Sequence, residues 1–178
     1  MTTGLSARIT RLPEIFDSGQ AERTLEALGA RAGQGALRDL VFATASNSPY
    51  LARQMLRDAD ALPADLSGAP EGAFANLLGG LTVEDKPTRA EMMQRLRAVK
   101  RRAALLIALA DLGGVWNLTE VTAALTTLAD TTLSAALRFA MQESIDRGRF
   151  APADAADPAH DSALFFLAMG KYGAHELN

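Results

Sequence analysis

Two consecutive helix signatures in the second half of the chain constrain its fold more than any other feature. Thr88-Arg89-Ala90-Glu91 has capping-box spacing, in which a threonine hydroxyl and a glutamate carboxylate each accept a backbone N–H at a helix start. Met92, Leu96, Val99, Ala103, Leu106 and Ala110 then recur at helical spacing, and Gly113-Gly114 supplies the stop. Asn117-Leu118-Thr119-Glu120 repeats the start pattern with asparagine as the cap. Val121, Leu125, Leu128, Thr132, Ala136, Phe139 and Ala140 form the second stripe, and Gly148 its end. Each pattern predicts a helix of roughly 25 residues. The connection Gly113–Asn117 is short, so the two helices should pack antiparallel.

The first half reads as shorter helices. Asp17 and Ser18 start one that continues through Leu25 and Leu28 and ends near Gly29 or Gly33. A second runs from about Gly35 to Ala45 and buries Leu37, Leu40, Val41 and Ala45. Ser48-Pro49 is an N-cap followed by proline at the first helical position, where its missing N–H costs nothing. In the helix after it, Leu51, Met55 and Ala59 share one face, and Arg53 and Arg57 fall off it. Pro63 and Ser67-Gly68-Ala69-Pro70 punctuate the chain, and a short helix with Phe74, Leu77, Leu78 and Leu81 precedes Thr82. Apolar residues make up 48% of the chain and aromatics only 6%, which suits helices packed through small contacts. The expected class is mainly α, a helical bundle built on two long antiparallel helices.

After Phe150 the composition changes. Ala151-Pro152-Ala153-Asp154-Ala155-Ala156-Asp157-Pro158 reads as a linker or exposed loop. The expected division is a helical region over 1–150, a linker over 151–160 and the start of another domain over 161–178. Seven apolar residues, Ala163–Met169, read as a buried strand feeding the tight loop Gly170-Lys171-Tyr172-Gly173. Loops of that kind bring backbone N–H groups and a lysine close to phosphate. The same four residues also suit an ordinary strand-end turn. They are not a P-loop, which needs glycine where Phe165 stands and Ser or Thr where Tyr172 stands. They are not a dinucleotide fingerprint either, because Ala168 occupies its first glycine position.

Other candidates carry plainer readings. Arg95, Arg97, Lys100, Arg101 and Arg102 form a basic cluster, with 97, 100 and 101 on one helical face. Such a face can meet phosphate or an acidic partner, and a solvated face with local partners such as Glu91 is the favoured reading. His160 and His175 are the only histidines, and Asp157 and Asp161 beside His160 make a weak loop cluster, so no metal site is expected. Glu176 orients the loop or caps a turn. Trp116 reads as a packing anchor at the helix–helix turn. The chain has no cysteine, which excludes a disulfide scaffold and a thiolate metal site. Its net charge of −3 gives no global attraction to nucleic acid or an anionic membrane. The N-terminus lacks an apolar signal core, and the longest apolar runs, Ala103–Ala110 and Ala163–Met169, are far below membrane-spanning length. A soluble, cytoplasmic protein is expected.

The wider C-terminal string adds a resemblance. Ala168-Met169-Gly170-Lys171-Tyr172-Gly173-Ala174-His175-Glu176-Leu177-Asn178 resembles Gly-Met-Gly-Lys-Leu-Gly-Gly-Arg-Glu-Leu-Asn, a signature of the glutamine synthetase adenylyltransferase/adenylyl-removing enzymes, also called glutamate-ammonia-ligase adenylyltransferases. Seven of the residues match, and Ala168, Tyr172, Ala174 and His175 depart. Leu96–Arg102 with Ile107–Leu112 looks like the family's basic helix upstream of its catalytic fold, and Asn47–Leu51 like its N-terminal helical region.

The resemblance implies two nucleotidyltransferase halves, one attaching AMP to a tyrosine of glutamine synthetase and the other removing it by phosphorolysis. Met1 lies well over a hundred residues before the glycine loop, which suits the adenylyl-removing half. Residues 163–173 would then be the first strand and glycine loop of an incomplete nucleotidyltransferase α/β fold. Gly170, Lys171 and Gly173 would contact phosphate. ATP or ADP, phosphate and Mg²⁺ are the implied ligands, and glutamine synthetase and the signal protein PII the implied partners. The family's metal-binding Ser-x-Asp-x-Asp follows the Glu-Leu-Asn, and this sequence stops at Asn178. It should therefore be a fragment in the nitrogen-assimilation system, without catalytic residues and inactive alone. The rival expectation is a non-catalytic helical interaction module. A strand without its sheet leaves unpaired edges. Residues 163–169 should be covered by the long helices, paired with a second copy in a homodimer, or poorly ordered.

Overall fold

In the computed structural model, residues 4–81, 86–151 and 164–177 are described, and among them nine α-helices follow one another. They are α1 (Leu5–Arg8), α2 (Ser18–Leu28), α3 (Gly35–Asn47), α4 (Pro49–Arg57), α5 (Leu62–Leu66), α6 (Pro70–Gly79), α7 (Arg89–Leu112), α8 (Leu118–Asp146) and α9 (Gly170–Gly173). A 3₁₀ turn, Gly29–Ala32, extends α2. The protein is mainly α, as its periodicity predicts.

The two long helices form where the caps place them. The Glu91 N–H donates to Thr88 Oγ1 at 3.3 Å, and the Thr88 N–H to Glu91 Oε2 at 2.7 Å. Asn117 and Glu120 make the same reciprocal pair at 3.0 and 2.7 Å. Both helices end in a Schellman arrangement, with Gly114 (φ +65°) and Gly148 (φ +66°) taking the left-handed position that favours glycine. The Val115 N–H returns to the Ala110 carbonyl at 2.8 Å, and the Arg149 N–H to that of Ser144 at 2.9 Å. Arg89, at the start of α7, donates to Glu143 near the end of α8. The pair is therefore antiparallel.

α7 is the central element. α3, α4, α5 and α6 pack against it, and so does α8. Besides the expected Met92, Val99, Ala103, Leu106 and Ala110, it buries Leu105, Ile107 and Leu109, because neighbours cover more than one of its faces. α8 departs from its expected stripe. Val121 and Leu128 are buried as predicted, but Ala124, Ala135 and Met141 are buried too, and Ala140 is exposed. An α-helix drifts about 20° per heptad from a seven-residue repeat, so the covered face moves round the helix along its length.

The shorter helices follow their caps. Asp17 Oδ1 accepts the Gln20 N–H at 2.8 Å to open α2, and Ser48 Oγ accepts the Leu51 N–H at 3.2 Å to open α4. Pro63 corrects the sequence reading. It lies in the first turn of α5, where proline's fixed φ suits a helix, and so it does not break the chain. Ala59 lies beyond the end of α4, so the face expected to carry it stops at Met55.

The N-terminal segment closes the corner between α7 and α8. The Thr10 N–H donates to the Gly113 carbonyl at 2.9 Å, its hydroxyl to that of Gly114 at 3.1 Å, and Arg11 Nη2 to that of Asp111 at 2.6 Å. Beside them Trp116 is buried, as expected of a packing anchor, and its indole N–H donates to Glu71 Oε1 at 2.7 Å. Phe74 meets it edge-on, with ring centroids 6.2 Å apart. Arg8 Nη1 reaches both Glu71 oxygens, at 2.8 and 2.9 Å.

The expected strand does not form. Residues 164–169 take neither helix nor strand, and no strand is present among the described residues. A strand needs a neighbour whose N–H and C=O groups are unpaired, and helices have spent theirs internally. The long helices do not cover the run, since Phe165 is 83% exposed and Leu167 74%. Ala163, Thr82 and positions 152–160 of the expected linker lie outside the described residues.

Candidate functional site

Gly170, Lys171 and Gly173 come together in the single turn α9, whose geometry favours glycine at 170 and leaves no room for a Cβ at 173. Gly170 has φ +58°. A Cβ on Gly173 would stand 2.6 Å from the Ala168 carbonyl oxygen. The Gly173 N–H donates to Met169 O at 3.4 Å and the Ala174 N–H to Gly170 O at 3.0 Å. The far end closes as a Schellman motif, with His175 N–H to Tyr172 O at 3.1 Å and Glu176 N–H to Lys171 O at 2.8 Å. His175 holds the left-handed position at φ +58°, where glycine is usual. Glu176 thus closes the turn through its backbone, while its carboxylate faces solvent.

The Tyr172 side chain ties the turn to the long helices. The Tyr172 hydroxyl donates to Asp130 Oδ1 of α8 at 2.5 Å. That bond raises the Tyr172 pKa, with burial and the Asp130 charge adding to it, so the phenol keeps its proton and acts as a donor. Tyr172 and Leu177 border a groove of about 600 Å³ whose other walls include Lys100, Ala104, Leu125 and Leu128. Lys171 stands exposed on the turn. Asp130 carries no motif. No spacing in the sequence pairs it with a residue 42 positions away.

The basic cluster has another use. Arg101 donates from Nε and Nη2 to the two carboxylate oxygens of Asp58, each at 3.0 Å. Arg102 does the same to Asp65, at 2.8 and 2.6 Å. These hydrogen bonds raise both guanidinium pKa values, against a smaller desolvation effect, so both side chains are held charged as ties between helices. Glu91 closes the α7 capping box. Lys100 faces the groove beside Tyr172, and Arg95 and Arg102 border a second cavity of about 420 Å³ with Asp65 and Asn76.

No group of three or more His, Asp or Glu that could hold a metal ion is present among the described residues. His160, Asp157 and Asp161 lie outside them, as does Asn178. No helix among the described residues is long and apolar enough to cross a membrane.

Comparison with known proteins identifies related sequences. Residues 38–178 match the family described as glutamate-ammonia ligase adenylyltransferase. The bifunctional glutamine synthetase adenylyltransferase/adenylyl-removing enzyme of Bradyrhizobium sp. (strain BTAi1) is 42% identical over 153 residues, 85% of this chain and 16% of that relative. The enzymes of the same name from Caulobacter vibrioides and Rhodopseudomonas palustris (strain CGA009) are 38% and 39% identical. Those matches cover 98% and 99% of this chain, and 18% and 19% of the relatives. The chain thus spans less than a fifth of the length of these relatives. No solved structure matches.

Proposed function

Because the chain belongs to the glutamate-ammonia ligase adenylyltransferase family, we propose that it is part of an enzyme that controls glutamine synthetase by adding and removing AMP. We assign it to the adenylyl-removing half, acting by phosphorolysis in the regulation of nitrogen assimilation. The likeness of Asn47–Leu51 to the family's N-terminal helical region supports that half. Glutamine synthetase is the protein acted on, PII the regulatory partner, and the cytoplasm the compartment.

One observation carries the reading. A turn closed by its own backbone presents Lys171 at the surface, between a glycine in the left-handed region and a glycine with no room for a Cβ. Gly170 and Gly173 keep side-chain atoms out of the way, and the lysine supplies a positive charge, which is what approach to a phosphate or to the phosphates of ATP or ADP needs. Mg²⁺ would offset charge on the transferring phosphoryl group when bound. The described residues hold no group of three or more His, Asp or Glu that could bind it. We assign the 178-residue chain no activity of its own.

The test is Mg²⁺-dependent, phosphate-dependent release of AMP from adenylylated glutamine synthetase. The purified chain should release none, and measurable release overturns its inactivity. In a longer enzyme containing this segment, Lys171→Ala should remove AMP release and leave AMP attachment intact. The opposite pattern overturns the assignment to the removing half.

A further inference from the structure

We propose that Asp130 is a positioning residue for the glycine turn: by accepting the Tyr172 hydroxyl it fixes Lys171 against the α7/α8 pair. The inference rests on the phosphate role proposed for that turn. Tyr172 sits between Lys171 and Gly173, so whatever holds its side chain sets the place of both neighbours. The turn is closed by four backbone hydrogen bonds. Asp130 stands in the middle of a 29-residue helix, where the backbone is least able to shift. Tyr172 is half-buried over the groove while Lys171 and Gly173 are exposed. The residues leading into it, 164–169, are exposed, and the Tyr172–Asp130 bond joins the turn to α8. A hydroxyl donating to an ionised carboxylate makes a strong bond, suited to holding one geometry.

The experiment uses the 178-residue chain in four forms: wild type, Tyr172→Phe, Asp130→Ala and Asp130→Asn. Neither residue belongs to the core, and circular dichroism checks that helicity is kept. Inorganic phosphate is titrated while the amide signals of Gly170, Lys171 and Gly173 are followed by NMR. Hydrogen exchange at residues 173–176 reports the tightness of the turn. Tyr172→Phe and Asp130→Ala should weaken phosphate binding by about five- to tenfold and speed exchange, as expected for loss of a charge-assisted bond. Asp130→Asn keeps an acceptor oxygen and should stay within about twofold of wild type. Equal binding in all four forms overturns the positioning role and leaves the phosphate role standing. Faster exchange with unchanged affinity also overturns it, because the bond is then only structural. A wild-type turn that ignores phosphate overturns the phosphate role, and the positioning role with it.

Discussion

Arg102 of α7 donates through two nitrogens to the carboxylate of Asp65 on α5, at 2.8 and 2.6 Å. The Asp65 side chain is only 11% exposed. Removing one partner of such a pair leaves a poorly solvated charge behind, which is where the large cost lies. Arg102→Met, which strands the Asp65 carboxylate, should therefore destabilise the protein by about 2–4 kcal/mol in urea unfolding. Asp60 pairs with Arg31 at a similar distance but is 94% exposed, and Asp60→Ala should cost less than about 0.5 kcal/mol. Equal losses at the two sites would contradict this ranking.

Glu71 makes the stability depend on acid. Partial burial pushes its pKa up, but hydrogen bonds from Trp116, its own backbone N–H and Arg8, with the Arg8 charge, hold it below the ordinary 4.5. A carboxylate with a depressed folded-state pKa contributes stability that is fully present above its unfolded value and is lost as pH falls through the folded one. Thermal melts between neutral pH and pH 3 should show the wild type losing more than Glu71→Gln below about pH 4.5. Parallel curves for the two proteins would show that Glu71 contributes nothing to the acid response.

Gly114 should not tolerate a side chain. Its φ is +65°, and a Cβ would stand 2.4 Å from Thr10 Oγ1. Gly114→Ala combines left-handed strain with a displaced N-terminal segment, for a loss of about 2–3 kcal/mol. Gly72, inside α6 with nothing near its Cβ position, is the control. Gly72→Ala should stabilise by up to about 1 kcal/mol through helix propensity. Chemical denaturation of the two variants reads both signs.

His175 occupies a position that glycine fills at the ends of α7 and α8. His175→Gly should relieve about 1 kcal/mol of left-handed strain. The gain is local, so amide exchange at Ala174 and Glu176 should slow while the global unfolding midpoint hardly moves. Faster exchange would show that the imidazole makes a contact the turn depends on.

The long helices were legible because their determinants are local. A threonine or asparagine three residues before a glutamate, and a glycine at the far end, settle where α7 and α8 begin and stop. The glycines of the turn were legible for the same reason. What escaped is non-local. Nothing along the sequence announces that Arg101 and Arg102 meet Asp58 and Asp65, 43 and 37 positions away, or that Tyr172 meets Asp130. α5 was missed because proline reads as a breaker until its place within a turn is known. The strand was misread because an apolar run becomes a strand only beside another one. The family resemblance carried by the C-terminal string agrees with the comparisons.

The clasp of Thr10 on Gly113 and Gly114 has a consequence for the order of events during synthesis. The two ends of that clasp are 103 residues apart. At cellular elongation rates that interval takes roughly 5–20 s. For that time Ile9 lacks the corner it packs on, and the helices between have time to form first. Leu5 can bond Gly68 well before then, but the Thr10 latch shuts only when the α7–α8 corner has emerged.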